Sequence, residues 1–214
     1  AKVSDKIKVI DRLLEKADTI LIGGAMAYTF RLAQGHAVGC SLVEPAKTDL
    51  ANPTLAQAEE NKVPILLPLD NVVATPVDTG KLNKKGQPVM EFKNQQVNSG
   101  PDISGEAEGV DIGPATVKAY REKILQAKTI LWNGPMGIFE MPSFAEGTFA
   151  IAKTVAEVTQ TRGAKTIIGG GDSVKALNKA GLGKQVTFMS TGGGASLEFL
   201  EGKVLPGVAA LTDR

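Results

Sequence analysis

The sequence is poor in the residues that most often announce side-chain chemistry. Its 214 residues include one histidine, His36, and one cysteine, Cys40. A lone cysteine excludes an internal disulfide and argues against a secreted, cross-linked fold. Without a CxxC pair or a neighbouring histidine, Cys40 reads as a small, inert packing residue. His36 follows Gly35 and has no acidic or serine partner in its local pattern, so it reads as a solvated loop residue rather than a general base. Charge of one sign is also missing. Lys and Arg number 24 and Asp and Glu 23, which leaves +1. That balance argues against a nucleic-acid surface or a basic membrane-binding face. No apolar run approaches the ~20 residues of a membrane span. The opening AKVSDKIKVIDRLLEK is charged throughout and is not expected to act as a signal peptide. The class that remains is a soluble, cytosolic α/β protein. With no linker-like stretch in the chain, it reads as one domain.

Glycine, by contrast, is abundant: 24 residues. Four segments end in it: DTILIGG (18–24), KTILWNG (128–134), KTIIGGG (165–171) and VTFMSTGGG (186–194). Each reads as a short buried strand whose glycines feed a loop or helix. Between them lie helix-period segments. Ser4 is placed to cap a helix bearing Ile7, Ile10, Leu13 and Leu14. Further helices are expected at 25–34, from Pro45 onward, at 114–127, 143–161, 173–180 and 195–201. Pro53 is expected to kink or split its helix. Strands are expected at 19–22, 65–67, 129–132, 166–168 and 186–190. Residues 70–109 lose this regularity and read as an excursion with an edge hairpin, and the tail LPGVAALTDR reads as loop. Alternating strands and helices imply a doubly wound, mostly parallel sheet with helices on both faces, a Rossmann-like three-layer domain.

In a parallel sheet the strand C-termini share one edge, and open α/β folds bind ligands there. Glycines let backbone N–H groups approach an anion, and a helix N-terminus adds roughly half a positive charge. One glycine junction is often only a turn. Four of them, with GGGD and TGGGAS included, point to a phosphate-bearing ligand. The common phosphate motifs are absent. There is no GxxxxGK[ST], and the GxGxxG dinucleotide pattern fails at Val174 and Leu197, which disfavours a dinucleotide-dependent oxidoreductase.

Asp172, directly after Gly171, suits either helix capping, where Ser173 is an equal candidate, or a Mg2+ ion bridging phosphate oxygens. Lys2 and Lys6 flank a helix start, where cations are unfavourable unless an anion shares the site; they also read as ordinary solvated lysines. Glu140 suits either capping of the next helix or hydrogen bonding to a ribose. No His-, Ser- or Cys-based nucleophile stands out. Phosphoryl transfer needs none, because positioning and charge stabilisation suffice.

The motifs AKVSDKI, LWNGPMGIFE, TIIGGGDS and STGGGASLEFLEGKVLPGVAAL resemble phosphoglycerate kinase. The resemblance runs from Ala1 to about Leu211 and covers only that family's C-terminal, nucleotide-binding half. Nothing resembles the N-terminal half that holds the triose phosphate. The sequence opens inside the family's GGAKVSDKI motif, without its leading glycines, as a domain taken from a larger protein does. The resemblance implies reversible phosphoryl transfer between 1,3-bisphosphoglycerate and MgADP, giving 3-phosphoglycerate and MgATP, by a monomeric cytoplasmic enzyme of glycolysis. A non-catalytic nucleotide-binding module is the alternative. By the same resemblance Lys6 contacts nucleotide phosphates and Lys2 stabilises the phosphoryl group in flight. Asp172 is linked to the metal, with Gly170, Gly171 and Ser173 beside the phosphates. Asn133 lies on the phosphate side, and Glu140, next to Phe139, binds ribose. Gly23, Gly24, Leu42, Gly109, Val110, Gly134 and Pro135 map to the adenosine cleft, where Ala25 replaces a frequent third glycine. Gly192, Gly193 and Gly194 match the loop that faces the transferred phosphate.

Overall fold

The computed structural model describes residues 3–83 and 86–211, with side chains from Lys6 onward. Helix α1 (Val3–Leu13) leads to strand β1 (Ile20–Leu21), helix α2 (Ala25–Ala33), a 3-10 turn at Pro45–Lys47 and helix α3 (Thr48–Glu60). Strand β2 (Ile65–Leu66) pairs in parallel with β1. Ser4 lies inside α1 rather than capping it, since the helix already runs at Val3. Pro53 does not split α3. It falls in the second turn, so one hydrogen bond is forgone near the end of the helix. The helix is held instead by packing: Ala51 and Ala58 are buried in a cluster with Ile7, Ile10, Leu14, Ile22 and Phe30.

The 70–109 segment is far more regular than its sequence suggests. Strands β3 (Asp70–Leu82) and β4 (Pro88–Ser99) form a long antiparallel hairpin, and β5 (Glu108–Ile112) pairs antiparallel with β3 on its other side. Most of β4 is exposed. Phe92 is half-buried and meets Phe144 edge-to-face at 5.1 Å between ring centres.

Helix α4 (Pro114–Gln126), strand β6 (Thr129–Asn133), helix α5 (Glu146–Arg162), strand β7 (Lys165–Gly169), helix α6 (Gly171–Lys179), strand β8 (Phe188–Ser190) and helix α7 (Gly193–Leu200) complete the alternation. A short helix, α8 (Pro206–Ala209), occupies the tail that reads as loop. Strands β6, β7 and β8 form one parallel sheet in that order. The parallel strands therefore fall into a two-stranded and a three-stranded piece, flanked by helices, rather than one continuous sheet. Tyr120 on α4 ties α4 to the smaller piece: its hydroxyl lies 2.7 Å from Ile22 O and 2.8 Å from Leu66 O. The main core joins the two halves of the alternation. Ile151, Val155 and Val158 repeat along the inner face of α5 and meet Tyr120, Ile124, Trp132 and Ile168. Each such side chain, fully buried, contributes about 1.5–3 kcal/mol.

Two helices of this region begin under buried carboxylates from distant strands. Asp70 on β3 accepts hydrogen bonds from Ala115 N (2.9 Å) and Thr116 N (2.8 Å) in the first turn of α4, and from Thr116 Oγ1 (2.6 Å). Asp111 on β5 accepts one from Gly147 N (2.6 Å) in the first turn of α5. Both satisfy helix-terminal N–H groups that have no intrahelical partner.

Candidate functional site

The parallel register sets the site. Asn133 stands opposite Gly169, and Gly169 opposite Ser190. The junctions after β6, β7 and β8 thus leave the sheet side by side. Gly170 takes the left-handed φ of 88° at the start of α6, a conformation that costs a glycine little. Its N–H donates to Ser190 O at 3.1 Å. The side-chain amide of Asn133 lies against this turn: a Cβ built on Gly170 would sit 3.3 Å from Asn133 Nδ2. Ser173 Oγ accepts a hydrogen bond from Gly134 N at 2.6 Å, so this serine ties two junctions together. Lys6 Nζ reaches across from α1 to donate to Asn133 O at 3.2 Å. A Cβ on Gly193 would sit 3.5 Å from Gly170 Cα, which brings the fourth motif's helix start beside α6. Gly24, after β1, backs onto Pro135: a Cβ there would lie 3.2 Å from Pro135 O. A Cβ on Gly171 or Gly194 would meet nothing within 4 Å, so open space lies beside each of these two residues.

Neither Asp172 nor Ser173 caps α6, whose N-cap is Gly170. Asp172 lies in the first turn with its side chain 59 % exposed, paired with Lys175 at 2.9 Å. That hydrogen bond raises the Lys175 ammonium above its usual range, with a smaller contribution from the charge of Glu140. Glu140 is exposed and caps no helix. Met141 precedes the 3-10 turn Pro142–Phe144, and Ala145 precedes α5. Asp172 therefore offers a solvent-facing carboxylate with one lysine partner. Among the described residues no group of three His, Cys, Asp or Glu gathers to cage a metal. A single carboxylate does fit Mg2+, which usually keeps several waters and takes the rest of its shell from substrate phosphates.

The residues mapped to the adenosine side divide. Leu42 is 60 % exposed, and its neighbour Ser41 accepts a hydrogen bond from Gly109 N at 3.0 Å, which fixes Leu42 beside β5. Val110 is buried with Ala74 and Phe144, and Phe139 with Ala145 and Ala176. These two side chains belong to the core, so their backbone is what they can offer a ligand. Gly23 backs onto Met136. Lys2 lies outside the described residues. One further reading changes: Cys40 is exposed rather than packed. His36, without an acidic partner in its local sequence, meets Asp102 at 3.2 Å across 66 residues on the surface. Asp102 is held below the usual carboxylate range, first by the Ala37 N–H and then by His36. Sequence reasoning also passed over Ser41 and Asp111, whose partners lie 36–68 residues away and leave no local signal.

The architecture and this edge define the class: a Rossmann-like three-layer α/β domain with glycine-rich strand ends gathered around a lysine and an asparagine. Comparison with known proteins carries this further. Residues 1–203 match the family described as "Phosphoglycerate kinase". A protein of that name from Clostridium perfringens (strain 13 / Type A) is 53 % identical over 216 residues, covering 100 % of this chain and 50 % of the relative. Another, from Chlorobaculum tepidum, is 54 % identical over 213 residues with the same coverages. The solved phosphoglycerate kinase of Coxiella burnetii superposes with a TM-score of 0.84 at 39 % identity, over 97 % of this chain and 49 % of that one. The Pyrococcus horikoshii enzyme gives 0.72 at 31 % identity, over 98 % and 49 %. The chain belongs to the phosphoglycerate kinase family. It spans about half the length of the curated relatives it matches.

Proposed function

We propose that this chain is the nucleotide-binding half of a phosphoglycerate kinase and that it binds MgADP and MgATP at the glycine-lined strand edge. The observation that carries this reading is the convergence of Lys6, Asn133, Ser173 and the Gly170 and Gly193 helix starts on one patch. In the whole enzyme the phosphoryl group would pass from the acyl phosphate of 1,3-bisphosphoglycerate to the terminal phosphate oxygen of ADP. The bond from phosphorus to the carboxyl oxygen breaks and one to the ADP oxygen forms, leaving 3-phosphoglycerate and ATP. The reverse transfer uses the same contacts.

The chain's own residues would contribute charge and position. The Lys6 ammonium and the N–H groups opening α6 and α7 would face the phosphate oxygens, where negative charge spreads in the transition state. Asp172 would hold the Mg2+ that arrives with the nucleotide, and that ion would neutralise phosphate charge when bound. Gly23, Gly24, Leu42, Gly109 and the backbone of Val110 would receive the adenosine, and Glu140 the ribose. The triose substrate would be held by an N-terminal domain that is not part of this sequence. Alignment of two reactants is worth effective molarities of roughly 10^5 M or more, so this half alone should turn over very little. We infer a monomeric, cytoplasmic protein of glycolysis.

Titration calorimetry with MgADP, run beside a coupled kinase assay, tests this. The expected result is saturable binding with negligible turnover. An absence of binding heat, corroborated by equilibrium dialysis, would overturn nucleotide binding. Substantial turnover would overturn the need for a second domain. Binding that persists while an added N-terminal domain restores no activity would favour the non-catalytic module.

A further inference from the structure

The loop at 134–145 carries Gly134, Pro135 and Glu140, and besides its bonds to Ser173 Oγ (from Gly134 N) and Thr148 Oγ1 (from Met136 N) it is fastened to β5. Ile138 N donates to Val110 O at 2.8 Å. Just past the loop, Gly147 N donates to Asp111 Oδ2 at 2.6 Å, while Ile112 N occupies Asp111 Oδ1 at 2.9 Å. The carboxylate is wedged between two glycines: a Cβ on Gly137 or on Gly147 would lie 2.5 Å from Asp111 Oδ1. Asp111 is 1 % exposed. It therefore touches the loop near its middle and grips the helix into which the loop runs. The strand that bears it also carries Gly109 and Val110, on the adenosine side.

We propose that the Asp111 carboxylate is the anchor that sets the position of the 134–145 loop, and so is a positioning residue for the nucleotide site, an inference that rests on the assignment above. Ionised, the group accepts both N–H groups. Protonated, it loses its charge and part of its acceptor capacity, and its hold on the two N–H groups weakens. Burial pushes this carboxyl up to about 7, against the lowering effect of the Gly147 and Ile112 N–H groups. The titratable groups facing it are Glu146 on α5, whose charge raises it further, and Tyr28 on α2, whose phenol is raised by burial and by Asp111. The anchor is thus poised to engage as pH rises through neutrality.

The test has a ligand-free arm and a binding arm. Amide resonances of the free 214-residue chain are followed by NMR from about pH 5 to about pH 8.5. Gly147 and the loop amides at 134–140 are expected to shift together with one midpoint near neutrality, which Glu146→Gln lowers and Asp111→Asn abolishes. Adenosine, which has no phosphate to titrate in this range, is then the binding probe. Its affinity should rise about fivefold across the same transition, and Asp111→Asn should be weak and flat. Movement of Gly147 alone, with the loop amides still, would overturn the proposal. So would an Asp111→Asn chain that is folded and keeps the full affinity and its pH dependence. If Asp111→Asn does not fold, the titration of the unaltered chain decides. If no adenosine binds at any pH, the functional assignment fails, and the loop resonances still decide the role of Asp111.

Discussion

Helices α2, α6 and α7 begin on glycines, which bring no capping side chain, whereas α4 and α5 begin under buried carboxylates delivered from β3 and β5. The physical need is the same in both sets, because the first N–H groups of a helix have no intrahelical acceptor. The answers differ. In the antiparallel region the side-chain oxygens of Asp70 and Asp111 close the helix ends and turn them into joints between sheet and helix. Along the parallel edge the ends stay open at Gly171 and Gly194, with Lys6 close by. The molecule thus separates helix starts that hold it together from helix starts that are proposed to receive an anion. Glycine marks the second kind only where an open space lies beside it: Gly113 also begins a helix, yet the Asp70 carboxylate fills the space where its Cβ would be.

The contrast is most severely tested at the closed ends. Asp70→Ala should destabilise the chain by about 3 kcal/mol or more, because buried N–H groups of α4 lose a charged acceptor. Urea unfolding measures this, and a loss below ~1 kcal/mol would mean that water replaces the carboxylate without penalty. Asp111 adds a pH dependence of definite sign. Its folded value is raised to about 7 from an ordinary 3.8, so the native state binds the extra proton. Its stabilising contribution is complete below the unfolded value and is lost as pH rises toward the folded one. Roughly 2 kcal/mol should disappear between about pH 5 and pH 7, and Asp111→Asn should flatten this part of the profile. Stability and adenosine affinity should then move in opposite directions with pH.

At the open ends the effects should fall on ligand rather than fold. Asp172→Ala should weaken MgADP about tenfold and metal-free ADP much less, as read by calorimetry. Equal losses would remove the cation from its role. Lys6→Ala should cost ATP several-fold more affinity than adenosine, since its ammonium is proposed to meet phosphates. An equal effect on both would place Lys6 in the architecture of the junction, through its bond to Asn133 O, rather than in binding.

The open and closed ends were not equally legible in the sequence. Strands β6 and β7 and the helix starts after β7 and β8 follow from local patterning: β-branched residues running into glycines, then helix-period residues. The family resemblance rests on those same junctions. The β3–β4 hairpin gave little signal because most of β4 faces solvent, so no apolar alternation marks it. The break between the two parallel pieces is likewise invisible locally, since β1 and β8 read as strands whatever stands beside them. Asp70 and Asp111 look like ordinary strand-end acids until their partners 36–46 residues away are known. What reads as a cap in sequence, Asp172 or Ser173, is no cap, because the glycine before them already starts the helix and Ser173 is engaged by Gly134.

Trp132, the sole tryptophan of the chain, is the penultimate residue of β6, its indole N–H donating to Gly134 O at 2.7 Å. That carbonyl belongs to the first residue of the loop that the site and the Asp111 anchor share. The protein therefore carries its own optical reporter, with no second indole to blur it. A change in emission on adding adenosine, or on crossing neutral pH without it, reads the loop directly and needs no label.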